Sequence, residues 1–324
     1  MPRTHVVLGG GGALGAYQAG ALLGLAEGGV LPDALHGCSA GALNAAFLAA
    51  RPTAARAADL AAWWADPGTH GVLVPPWRAR LTGLAAAVAG RSDGILDARP
   101  LRALVAAQVP AHDLSELGVP LTVTTTCLDC ADAVHHATGP VADVLVASCA
   151  LPGLFPPVVL PDGHAHVDGG VLAGVPLAPA LAAAGPDDRV LVLDCGLAPV
   201  TAVGGACAAL PGLRGDGCGL PVPVGTPAYV APVESSRGAL DVVLRAFTVA
   251  RAAANRASTL PGLDDPRVSV LPHVADAWAA GLLPALPRGP RDVTRTPDLV
   301  RAGRAAAAAW LRADRRGAVV PLQP

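Results

Sequence analysis

ALHGCSAGALNAAFLAA, Ala34 to Ala50, is the stretch on which the reading of this chain turns. Ala34–Cys38 reads as a short strand and Ala40–Ala50 as a helix ended near Arg51-Pro52. Between them, Gly37-Cys38-Ser39-Ala40-Gly41 spells G-x-S-x-G. That spacing has a mechanical reason. A serine on a strained strand-to-helix turn projects its hydroxyl outward, and small neighbours let the turn close without clashes. The hydroxyl then stands at the positive end of the helix, where developing negative charge is favoured. A turn of small residues with a capping serine is the alternative that needs no chemistry.

Upstream lies VVLGGGGALGAYQAG, Val6 to Gly20, where Gly10, Gly12 and Gly15 satisfy G-x-G-x-x-G. Backbone amides in such a loop suit a nucleotide pyrophosphate or the oxyanion of an ester under attack. With 38 glycines in 324 residues, chance supplies roughly half a match to this motif and about a tenth of a match to G-x-S-x-G. The serine motif is therefore the sharper signal. A dinucleotide fold also demands an acidic residue ending a second strand some 20 residues after the glycines. Asp33 is near that position but follows Gly28-Gly29-Val30-Leu31-Pro32, a poor central strand. No nucleotide cofactor is expected.

Working outward, Thr4–Leu8, Pro120–Cys127, Val190–Cys195 and Val268–Leu271 read as strands. Ala16–Glu27, Ala54–Ala65, Pro100–Gln108, Asp241–Ala257 and Pro297–Arg312 read as helices. Alternation of this kind implies an α/β fold whose sheet is largely parallel. Gly204 to Pro232 is crowded with Gly and Pro and is expected to be a functional or disordered loop. The expected organisation is a core over residues 1–200, a Pro/Gly-rich loop or flap over 201–235, and helices with a strand over 236–324 completing the same domain.

Composition narrows the partners. The net charge is −2 and every basic side chain is an arginine, with no basic stripe to release counterions from nucleic acid. Seven scattered cysteines fit reduced thiols in a cytoplasm better than a disulfide framework. Cys127 and Cys130 form one C-x-x-C with no second pair at zinc-ribbon spacing, so the cysteines are expected to be small buried side chains and no metal is expected. Four consecutive glycines break the apolar segment that a signal peptide needs. No apolar run reaches the roughly 18 residues that span a membrane.

Further along, His166-Val167-Asp168-Gly169-Gly170 follows LPGLFPPVVL, and an Asp-Gly turn of this kind holds a carboxylate at its start. With this third block the chain resembles the patatin-like phospholipases. Gly10-Gly11-Gly12-Ala13-Leu14-Gly15 is similar to that family's oxyanion loop, and Gly37–Gly41 with Ala42-Leu43-Asn44-Ala45 to its nucleophile elbow. Cys149–Pro157 (CALPGLFPP) and Asp168-Gly169-Gly170 match the segment ending in the family's aspartate. The likeness runs from about Val6 to Leu177 and weakly into the C-terminal helix.

The resemblance implies a three-layer fold with a mainly parallel central sheet flanked by helices. It also implies a cofactor-free lipid acyl hydrolase using a Ser–Asp dyad. Ser39 would be the nucleophile, Asp168 the base, and Gly10, Gly11 and Gly12 the oxyanion loop, with Gly15, Gly37, Gly41, Gly169 and Gly170 shaping the motifs. The substrate would be a lipid or acyl ester. Two positions depart from the family: Leu14 where arginine is usual, and Gly174 where asparagine is usual. Those departures motivate a weakly catalytic acyl-binding homologue as one alternative. Another is a Ser-His-Asp esterase using His273, which otherwise reads as a surface histidine after Pro272. His135, His136, His164 and His166 read as facing solvent or satisfying turns. Val72–Trp77, with Trp63 and Trp64 before it, is a candidate membrane-touching rim whose tryptophans could equally pack the core.

Overall fold

A computed structural model describes residues 2–66, 77–196, 239–284 and 293–314. Among the described residues, eight strands form one sheet: β1 (Thr4–Leu8), β2 (Ala34–Cys38), β3 (Leu121–Cys127), β4 (Asp132–His136), β5 (Val158–Val159), β6 (Ala165–Asp168), β7 (Arg189–Leu193) and β8 (Val268–Val270). The helices are α1 (Gly15–Glu27), α2 (Ala40–Ala49), α3 (Ala54–Ala65), α4 (Trp77–Val88), α5 (Arg99–Gln108), α6 (Val141–Ser148), α7 (Leu177–Ala183), α8 (Ala239–Leu263), α9 (Val274–Ala279) and α10 (Thr296–Asp314). Following hydrogen-bonded neighbours, the strands run β5-β6-β3-β2-β1-β7-β8, with β4 also on β3. The run β3-β2-β1-β7-β8 is parallel, while β4, β5 and β6 join antiparallel.

Alternation along the strands builds three layers. Val6 and Leu8 of β1 and Leu191 and Leu193 of β7 face the larger core, shared with α1, α2, α3 and α10. Val7, Val190 and Val192 face the opposite core, closed by Val175, Leu177 and Ala180. This is the two-sided burial that makes parallel strands read as continuous apolar runs. Helix α1 is apolar around most of its circumference because α10 and α3 cover the faces the sheet does not. Leu22 and Leu25 are each 2% exposed, a burial worth about 1.5–3 kcal/mol apiece.

The predicted elements lie close to the observed ones, and Ala34–Cys38 and Ala54–Ala65 coincide with β2 and α3. The antiparallel part differs from expectation: β4, β5 and β6 carry no strand signal in the sequence. They are short, and β4, Asp-Ala-Val-His-His, is nowhere fully buried, so no apolar periodicity marks them. The candidate rim over 72–76 lies outside the described residues, as do the Pro/Gly-rich stretch and Cys207 and Cys218. Trp64 is 1% exposed and donates its indole N–H to Asn44 Oδ1 at 2.8 Å, and Trp63 packs edge-on against it. Both tryptophans belong to the core side of the expectation. Among the described residues, no helix is long and apolar enough to cross a membrane.

Candidate active site

Pairing along β3 brings two distant residues to one point. β4 pairs with β3 from Val123 to Cys127, so it fills one edge of that strand. β2 and β6 must therefore share the other edge. β2 occupies it up to Cys38↔Thr124, and β6 takes it over from Thr125↔Asp168. The chain leaves β2 at Ser39, the position opposite which Asp168 ends β6. Ser39 Oγ donates to Asp168 Oδ2 at 2.7 Å.

Ser39 has φ 54° and ψ −127°, a left-handed conformation that a non-glycine residue holds only when its surroundings enforce it. The enforcement is visible. The Ser39 N–H donates to Ser148 Oγ at 2.9 Å, and Ser148 in turn donates to the Thr124 carbonyl at 2.7 Å. A Cβ on Gly41 would stand 2.2 Å from the Leu8 carbonyl oxygen, so α2 can cross β1 this closely only with glycine there. Gly37 is packed against Ala42 on the other side of the turn, and Gly15 against Trp64. Ser39 caps α2, whose first-turn amides point toward it.

Asp168 is 4% exposed. Its Oδ1 accepts the Gly170 N–H at 2.7 Å, which fixes the carboxylate plane at the start of a 3-10 turn over Gly169–Val171. Burial pushes the Asp168 carboxyl above its ordinary range, and Arg251, the Ser39 hydroxyl and the Gly170 N–H pull the other way without cancelling it. Cys38 Sγ lies 4.0 Å from Oδ1, and burial holds that thiol well above its usual range, so it remains a neutral neighbour.

The glycine loop arrives from β1. Gly10 packs against the serine, since a Cβ there would lie 3.2 Å from Ser39 Cβ. Its N–H, however, donates to the Gly174 carbonyl at 2.8 Å. Of the three glycines expected to supply donors, Gly10 thus spends its amide within the protein, while Gly11 and Gly12 form the start of a short 3-10 turn. Gly12 has φ +58°, which glycine adopts without a side-chain penalty. Leu14, at the family's arginine position, is 6% exposed and belongs to the main core.

Residues with no motif in the sequence complete the site. Arg251 of α8 donates Nε–H to the Gly170 carbonyl at 2.9 Å, close enough for its charge to act on Asp168. Asn255, one turn later, accepts the Gly174 N–H on Oδ1 at 2.6 Å and points Nδ2 at the Gly170 carbonyl at 3.3 Å. A Cβ on Gly174 would meet the Asn255 amide at 2.9 Å. An asparagine side chain from α8 thus stands beside the position where the family usually has one, and its space is open because Gly174 has no side chain. The only sequence signal was polarity at an i, i+4 spacing on α8, the face that meets the Asp168 turn.

The histidines need correction. His273 is 5% exposed, not on the surface. Its Nδ1 accepts the Ala275 N–H at 3.1 Å, capping α9, and its Nε2 lies 3.1 Å from the Gly196 carbonyl. Both ring nitrogens thus have partners other than the Ser39 hydroxyl. His166 is fully buried between Thr125 Oγ1 at 2.9 Å and Asp162 Oδ2 at 2.9 Å. His136 lies 2.8 Å from Thr125 Oγ1, and His135 3.0 Å from Thr124 Oγ1.

The family profile described as patatin-like phospholipase matches residues 6–181. The chain is 32% identical over 180 residues to an uncharacterised NTE family protein of Mycobacterium tuberculosis (strain ATCC 25618 / H37Rv), covering 55% of this chain and 45% of that one. It is 31% identical over 172 residues to patatin-like phospholipase domain-containing protein 6 of Homo sapiens, covering 53% of this chain and 12% of that protein. The chain thus spans under half the length of these curated relatives. A solved structure, VipD from Legionella pneumophila, aligns with a TM-score of 0.40 and 17% identity, over 60% of this chain and 50% of that one. The profile's span takes in the glycine loop, the serine elbow and the Asp-Gly-Gly turn, all set around one point of the sheet. This chain belongs to the patatin-like phospholipase family.

Proposed function

We propose that this protein is a lipid acyl hydrolase that cleaves carboxylic esters through Ser39 and Asp168. The observation that carries the reading is the 2.7 Å hydrogen bond from Ser39 Oγ to Asp168 Oδ2. Ser39 Oγ attacks the ester carbonyl carbon while its proton passes to Asp168. The tetrahedral oxyanion is held by the Gly11 and Gly12 amides and by the positive end of α2. Collapse expels the alcohol, which takes the proton from Asp168, and water then hydrolyses the acyl-serine with Asp168 again as base.

An unperturbed aspartate, with a pKa near 3.9, is a weak base. Burial moves Asp168 in the useful direction, and one oxyanion donor is worth about 2.7–4 kcal/mol. Asn255 beside Gly174 weighs against the acyl-binding alternative, because the turn that holds Asp168 retains a side-chain amide.

Release of fatty acid from phospholipids, lysophospholipids and p-nitrophenyl esters tests the activity and sorts the substrate class, with Ser39→Ala as control. A fluorophosphonate probe tests the dyad. Labelling at Ser39 that survives His273→Ala and disappears in Asp168→Asn is expected, whereas an unlabelled wild-type protein favours acyl binding without hydrolysis.

A further inference from the structure

From the meeting of a C-x-x-C turn with a histidine 34 residues away, we infer that Cys127, Cys130 and His164 bind one zinc-like divalent cation. β3 ends at Cys127, and the turn to β4 places Cys130 back beside it, with the Cys130 N–H donating to Cys127 Sγ at 3.1 Å. His164 comes from the loop that precedes β6. Its Nδ1 lies 3.6 Å from Cys127 Sγ and 3.1 Å from Cys130 Sγ, and all three donor atoms fall within 4.8 Å of one another.

The spacing suits an ion. Zn–S bonds of about 2.3 Å and Zn–N bonds of about 2.0 Å in a tetrahedron put sulfur and nitrogen roughly 3.5 Å apart. Two sulfurs and an imidazole are a donor set for zinc, not for calcium or magnesium. The two loops are already joined around the cluster: Leu128 N–H donates to the Ala165 carbonyl at 2.9 Å, and Ala165 N–H to Asp129 Oδ2 at 2.7 Å. Asp162 accepts the backbone N–H of His164 at 3.0 Å and also lies 2.9 Å from His166 Nε2, so it orients the loop, and three protein ligands leave the fourth position of a tetrahedral ion open. Cys130 is exposed, which provides an entry path. These features set the pair apart from the buried, inert thiols that the spacing alone suggested.

The ion has a structural consequence. Cys127 is paired with His166, and Asp168 lies two residues beyond on β6. A metal joining β3 to the start of β6 therefore stiffens the strand pair that carries the dyad carboxylate, without touching Ser39 or Asp168.

The test uses untagged full-length protein, reduced and stripped with chelator, then titrated with Co2+. One equivalent should bind with sulfur-to-cobalt charge-transfer absorption and tetrahedral d–d bands, and one equivalent of Zn2+ should abolish the signal. Cys130→Ser and His164→Ala should each weaken Co2+ binding at least as much as the ~10–100-fold that losing a supporting group costs at such sites, with far-ultraviolet circular dichroism unchanged. Ser39→Ala should bind as the wild type does. Absence of a thiolate band in the reduced wild type, or an unchanged Co2+ affinity in both Cys130→Ser and His164→Ala, overturns the proposal whether or not the protein proves to be a hydrolase.

Discussion

The parallel and antiparallel halves of the sheet are held in place by different physics, and the Ser39–Asp168 pair straddles them. β1, β2 and β7 are buried almost throughout and clamped between helical layers. β4 and β5 are largely open, and their surroundings are stitched by polar groups: Asp162 to His166, Asp129 to Ala165, and Thr125 to both His136 and His166. The serine thus rests on close-packed apolar structure and the aspartate on a hydrogen-bonded network. Packing failures should lower stability, whereas failures around Asp168 should lower activity first.

The largest effects should come at the seam itself. Ser39→Ala and Asp168→Asn are each expected to lower the rate of ester hydrolysis by about 10³–10⁴-fold or more, with the unfolding midpoint little changed. A rate within tenfold of the wild type in Asp168→Asn would separate the aspartate from the chemistry. On the parallel side, Gly41→Ala drives a methyl into the Leu8 carbonyl and should cost roughly 1–3 kcal/mol in denaturant unfolding, because neither backbone can yield. An unchanged midpoint there would undo the contrast between the halves.

On the antiparallel side, Asn255→Ala removes the acceptor for the Gly174 N–H and should cost about 1–2 kcal/mol together with activity. Gly174→Ala should be damaging alone, through its 2.9 Å clash with the Asn255 amide, and milder in the Asn255→Ala background. A double-mutant cycle reads that coupling, and strict additivity would argue against contact between the two positions.

The smallest effect is a shift in pH dependence. Asp168 must be ionised to accept a proton, and burial raises its pKa. Activity should therefore fall on acidification at a pH above that of an exposed aspartate, near 3.9. The acid limb of kcat/KM should move higher still in Arg251→Gln, since Arg251 favours the ionised form. Linkage has the opposite sign for folding. A raised native pKa makes this group's contribution to stability greatest below the unfolded pKa, and that contribution is lost as pH rises through the native value. A limb that stays put in Arg251→Gln would leave the guanidinium as a purely structural clamp.

How much was legible follows the same division. Ser39 could be read directly, because G-x-S-x-G between a strand and a helix is a local device whose parts are contiguous. Asp168 was found through the likeness to a family motif, since an Asp-Gly turn by itself is commonplace. Arg251 and Asn255 carry no motif beyond a polar i, i+4 pair; they matter only because α8 lies against the Asp168 turn. His273 was misread as a surface residue for the same reason, as nothing local announces a buried helix cap bonded to a carbonyl 77 positions away.

The amino-acid order alone therefore determined the largely parallel sheet and the elbow, because apolar runs and tight glycine turns are short-range facts about a chain. Only the tertiary structure decided how the Asp168 carboxylate reaches the serine, which side chain stands at Gly174 and which histidine joins the C-x-x-C turn. The reason is geometric. β6 takes over the edge of β3 where β2 stops, and that handover is a property of strand pairing that no single segment encodes.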